Sequence, residues 1–112
     1  MYKYRGQLTI KLPASIIASF CRKHPLIKNL FPTAIGYFPN AEHHFFKRPA
    51  GADFSVLIYC VSGKGWVKIN QEKIIISAGE YIIIAAGKSH SYGADEKEPW
   101  TIYWFHFEGK VL

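Results

Sequence analysis

Two spacings of apolar residues divide this chain. Near the start, Ile16, Ile17, Phe20 and Cys21 recur at three- and four-residue intervals and predict one apolar helix face. Pro13 suits a first helical turn, and Pro25 pushes His24 out of helical geometry, which ends the helix there. Leu26, Ile27, Leu30 and Phe31 predict one further short turn. Ahead of the helix, Tyr2, Tyr4, Leu8, Ile10 and Leu12 alternate loosely, as in an extended arm over residues 1–12.

From residue 34 onward the period becomes that of strands. Ala34 to Phe38 reads as a strand broken by Pro39-Asn40, and His43 to Lys47 as another ended by Pro49-Ala50-Gly51. Phe54 to Val61 is rich in β-branched and aromatic residues. Ser62-Gly63-Lys64-Gly65 predicts a turn, with Trp66 to Ile69 returning as the hairpin partner. Asn70-Gln71 turns again into Lys73 to Ile76, and Ala78-Gly79-Glu80 turns into Tyr81 to Ile84. A short segment around His90 to Tyr92 and a last aromatic strand from Pro99 to Glu108 complete about eight strands. The pattern predicts an all-β sandwich or barrel with an N-terminal helix.

The chain's 112 residues make one domain, 1–112, with an arm and helix over 1–30 and a β-barrel over 31–109. Apolar residues at 49% and charged residues at 20% exclude a disordered tail. Two cysteines, Cys21 and Cys60, fit reduced thiols in apolar surroundings rather than a disulfide scaffold. No signal segment opens the chain and no apolar run reaches membrane-span length, so the expectation is a cytoplasmic protein that does not engage a membrane. The net charge is +6, but the basic residues stand mostly singly along the chain and read as a solvated surface.

One local pattern carries chemistry. Gly79 is followed by a strand, by Ala85-Ala86-Gly87, and two residues later by His90. This resembles the second cupin motif, with alanine where that motif has proline, and it implies a double-stranded β-helix, or jelly-roll barrel, with His90 delivered inward. The first cupin motif would supply two histidines and a glutamate before Gly63. Those positions fall at Val56 and within Pro49 to Ala52, where no side chain binds a divalent ion well. The expectation is therefore no metal and no other cofactor.

From Arg48 to Gly109 the resemblance sharpens. It rests on Arg48-Pro49-Ala50-Gly51, Leu57-Ile58-Tyr59 leading into Gly63-Lys64-Gly65, Gly79-Glu80, His90-Ser91-Tyr92-Gly93, and Pro99-Trp100 with Trp104-Phe105-His106-Phe107-Glu108-Gly109. In order and spacing these resemble the N-terminal sensory domain of AraC-type transcription regulators. The resemblance implies a metal-free cupin-like barrel that binds a small effector, a sugar or sugar derivative. It implies contact with DNA only through a helix-turn-helix domain that this chain does not contain. Arg48, Tyr92 and Trp104 match pocket residues of the arabinose-responsive member. Arginine offers five fixed donors, and an indole packs on the apolar face of a sugar. His90 shares strand parity with Tyr92. Ile102 stands where that member has histidine, which implies a different ligand.

The expected ligand-binding residues are thus Arg48, His90, Tyr92, Ile102 and Trp104, with no catalytic residue. On the last strand, His106 shares a face with Trp104, and His44 or His106 is expected near His90. Tyr2 and Tyr4 on the arm are expected to close over the ligand. A homodimer is expected from the exposed barrel edges and many aromatics. Two rival readings remain at this point. One is a small metal-free isomerase or epimerase with His90 as base and Tyr92 as acid. The other is a stand-alone carbohydrate-binding or dimerisation module.

Overall fold

The computed structural model describes residues 6–109. The expected arm residues Tyr2 and Tyr4 lie outside that range. The strands are β1 (Leu8–Lys11), β2 (Phe31–Phe38), β3 (Phe45–Arg48), β4 (Ser55–Ser62), β5 (Lys64–Ile69), β6 (Glu72–Ser77), β7 (Tyr81–Ile84), β8 (His90–Ala94) and β9 (Thr101–Glu108). They form a five-stranded sheet in the order β1-β2-β9-β4-β7 and a four-stranded sheet in the order β3-β8-β5-β6. All named pairings are antiparallel. The inner faces of the two sheets close on one core, in which Val56, Ile58 and Cys60 of β4 meet Val67 of β5. This is the two-layer all-β arrangement that the alternating pattern predicts.

Several predicted elements shift once long-range pairing is visible. The second half of the expected arm is β1, which pairs with β2 from Leu8 opposite Tyr37 to Lys11 opposite Ala34. Phe31, assigned above to a short turn, instead opens β2, and the turn is a 3₁₀ helix over Ile27–Asn29. The strand expected from His43 starts two residues later, because His43 adopts φ 60° in the preceding turn. The helix α1 (Ala14–Ile16) widens into a π turn over Ile17–Cys21. Of its predicted apolar stripe only Cys21 is buried, while Ile16 and Phe20 remain exposed. A helix this short buries a single residue of its stripe.

The turn at Gly63 does not make the expected hairpin. β4 pairs with β7 and β9, while β5 pairs with β6 and β8. Both edges of each strand are therefore taken, and the chain at Gly63 passes from one sheet to the other. Gly63 has φ 68°, and a Cβ there would run into the Pro99 carbonyl, so the corner requires glycine. The Asn70-Gln71 turn is a hairpin as predicted, with Ile69 opposite Glu72.

Large inner side chains face bare backbone. Trp104 pairs with Gly36 across β9 and β2, and its indole lies against the Gly36 backbone where a methyl group would overlap it. Trp100, fully buried, lies against Gly65 in the same way. Gly36→Ala should therefore displace Trp104 and lower stability by about 1–3 kcal/mol, the usual range for overpacking. Urea unfolding followed by tryptophan emission measures both effects.

Candidate functional site

Antiparallel register brings four inward side chains of two neighbouring strands together. Arg48, the last residue of β3, lies directly opposite His90, the first of β8, and Phe46 lies opposite Tyr92. Arg48 Nη1 donates to His90 Nε2 at 3.0 Å and to Tyr92 Oη at 3.2 Å. The guanidinium carbon sits 4.2 Å from the centroid of the Phe46 ring and 5.4 Å from that of Phe54. The His90 and Tyr92 rings are stacked, 5.9 Å apart with 6° between their planes. Arg48 is thus aimed and held by rings, a geometry that cation–π attraction favours.

The hydrogen bonds settle the protonation of His90. Arginine only donates and the Lys88 carbonyl only accepts, so Nε2 carries the lone pair and Nδ1–H donates to Lys88 at 2.9 Å. A neutral imidazole is what burial and the nearby Arg48 charge also favour, and both hold the His90 pKa below its ordinary value. Burial pushes the Tyr92 phenol up, so it too is neutral.

Arg48 itself has no counter-ion among the described residues. The ion pair found among the described residues joins Arg22 to Glu108, at 3.2 Å. The two bonds that Arg48 makes use Nη1, so the N–H groups on Nε and Nη2 are left without an acceptor among the described residues. A half-buried cation with free donors is suited to an anionic or polyhydroxylated ligand.

The other sheet brings Trp104 and His106 from β9. Their rings are 4.7 Å apart, and Phe54 stacks on His106 at 4.2 Å. Phe54 therefore touches both His106 and the Arg48 side and links the two sheets. Of the five expected site residues, Arg48, His90 and Tyr92 are in direct contact, and Trp104 joins them through His106 and Phe54. Ile102 is fully buried in the core cluster that also contains Tyr92.

His106, Phe54 and Phe46 belong to this group, yet the sequence did not single them out as binding residues. The signal for His106 was its place two residues after Trp104. Phe46 carries the same signal relative to Arg48, which the structure adds to β3 one residue beyond the predicted end of the strand. Of the His43-His44 pair only His44 turns inward, where its Nδ1 accepts the Trp100 indole N–H at 3.1 Å. Among the described residues no three His, Cys, Asp or Glu side chains converge as metal ligands would. Burial and Glu80 raise the Cys60 thiol pKa, and its Sγ–H donates to the Ser62 carbonyl at 3.3 Å, so it is an inert core thiol.

Burial, then the charges of Arg48 and Lys11 and, once it protonates at low pH, that of His90, lower the His106 pKa to about 4. Between that value and the ordinary imidazole range the unfolded chain binds more protons than the folded one. Stability should therefore fall as pH drops from about 6.5 to about 4, by about 2 kcal/mol once partial solvent contact of the ring is allowed for. His90 contributes in the same direction. Urea unfolding at pH 7 and pH 4.5 checks this, and His106→Phe, which keeps the stack on Phe54, should reduce the loss.

Proteins of similar sequence and of similar fold are known. The family model for the AraC-like ligand binding domain matches residues 31–112. The MmsAB operon regulatory protein of Pseudomonas aeruginosa is 31% identical over 106 residues, covering 91% of this chain and 34% of that protein. The Msm operon regulatory protein of Streptococcus mutans is 33% identical over 61 residues, covering 54% of this chain and 22% of that protein. The chain thus spans about a third or less of the length of these regulators. A cupin protein from Bacteroides fragilis superimposes with a TM-score of 0.60 at 18% identity, over 100% of this chain and 90% of that one. The fold is that of a cupin, and the chain belongs to the AraC-like ligand-binding domain family.

Proposed function

We propose that this chain senses a small polar effector inside its barrel, a sugar or sugar derivative, and that an acidic derivative suits it best. The observation that carries this reading is Arg48, held by Phe46, His90 and Tyr92 with donors to spare and no carboxylate partner among the described residues. A carboxylate on the effector supplies the missing counter-charge in a charge-assisted, two-pronged bond. Trp104 offers an indole face for the apolar side of a sugar ring. Occupancy is then passed to a DNA-binding module of the longer regulator, as in the relatives' role as operon regulators. Ile102 contributes shape from the core rather than a hydrogen bond.

Binding rather than catalysis fits the histidine. An isomerase would need His90 free to take a proton, but its Nε2 lone pair is engaged by Arg48 and its Nδ1–H by Lys88.

Thermal unfolding against neutral sugars, uronic acids and divalent metals tests the reading. At a hundred times its dissociation constant a ligand adds about 2.7 kcal/mol, enough to raise the midpoint by several degrees. A uronic acid should give the larger shift. Arg48→Ala combined with Trp104→Ala should abolish that shift while a cooperative melt persists. A double variant that still responds fully overturns the site assignment, and a response to metals alone overturns the metal-free reading.

A further inference from the structure

The lysines that stand singly along the sequence do not stand singly on the surface. On the outer face of the four-stranded sheet, Lys47 lies opposite Ser91, Ser91 opposite Lys68, and Lys68 opposite Lys73. Register thus builds a row of three exposed ammonium groups across four strands, about 14 Å from end to end at the usual strand spacing. Beside it runs an apolar row. Phe45 lies opposite Gly93, Gly93 opposite Trp66, and Trp66 opposite Ile75. Gly93 leaves room for the Trp66 indole to lean across it, where a Cβ would come within 3.0 Å of the ring. The Phe45 and Trp66 rings are 5.8 Å apart, and Lys73 Nζ lies 5.3 Å from the Trp66 ring centroid.

The three lysines, Phe45 and Trp66 line a groove of about 600 Å³ in which no lining residue is acidic. Lys68 directly opposite Lys73 is a like-charge pair, which destabilises a sheet until an anion sits between them. We propose that this face binds single-stranded nucleic acid, with phosphates along the lysine row and bases stacked on Trp66 and Phe45.

Charge and ring geometry together select that occupant. Aromatic platforms beside a basic track are how sheet surfaces hold single strands without sequence preference. A duplex hides its base faces, and a sheet four strands wide, about 19 Å, does not enter a major groove about 12 Å wide. An acidic peptide would satisfy the lysines but leave the aromatic row without planar partners. Arg48, Phe46 and Tyr92 lie on the opposite side of the same sheet, and His90 is the residue of that group that also borders the groove.

The test is fluorescence anisotropy of a labelled oligothymidylate titrated with the full chain at low salt. Saturable binding is expected, with a slope of log affinity against log salt of about −2, as three phosphate contacts to a single strand would give. Lys47→Gln, Lys68→Gln and Lys73→Gln combined should weaken binding at least tenfold and flatten the slope. A thermal melt verifies that these surface changes leave the fold intact. Trp66→Leu should weaken binding severalfold with the slope unchanged. Absence of binding, an unaltered affinity in the triple variant, or equal competition by duplex DNA or by polyglutamate overturns the proposal. The last of these outcomes would assign the face to an acidic protein segment instead.

Discussion

Two indole rings fit inside this barrel because the strands facing them carry glycine. Trp104 takes the space above Gly36, and Trp100 the space above Gly65. Close packing leaves no slack for a methyl group at either place. The Trp100 N–H must also find an acceptor when buried, and the His44 ring provides it. Trp104 and Trp100 together fix the height of β9 relative to β2 and β5, and β9 is the strand between β2 and β4. Everything that faces inward from β9, including His106, is aimed by this seating.

The interior is electrostatically one-sided. Arg48, neutral His90, neutral Tyr92 and His106 come together with no carboxylate among the described residues to balance them. Rings compensate part of the cost of the charge, as Phe46 and Phe54 do, but they do not replace a counter-ion. Arg48 therefore faces the interior with donors left over and no carboxylate partner among the described residues. The depressed pKa of His106 comes first from its burial and then from the same imbalance, since a second positive charge beside Arg48 is disfavoured.

The two outer faces differ in kind. The four-stranded sheet presents lysines and a tryptophan, whereas the five-stranded sheet presents an apolar groove lined by Leu57, Tyr59, Tyr81, Tyr103 and Phe105. On a strand, alternate residues belong to different environments, so one short sequence serves the core and a surface at once. Phe45 and Phe46 are the clearest example. The first lies beside Trp66 on the outer face, and the second, itself 40% exposed, lies over Arg48 on the other face.

Local physics made much of this legible from the sequence. The change of apolar spacing marks where helix gives way to strands, because the two backbones repeat at 3.6 and 2 residues. Parity places His90 with Tyr92 and Trp104 with His106, because a pleated strand allows no other arrangement. Partnership between strands is different, since it depends on which edges are free after the whole chain has folded. Gly63 reads equally well as a hairpin or as a corner, and only the occupied edges of β4 and β5 decide for the corner. The contact of Arg48 with His90 spans 42 residues of chain and the lysine row joins three strands, so neither has a local signature. Sequence determined the faces of the strands, and tertiary structure decided which faces meet, because pairing and packing are set by contacts between residues that are far apart in the chain.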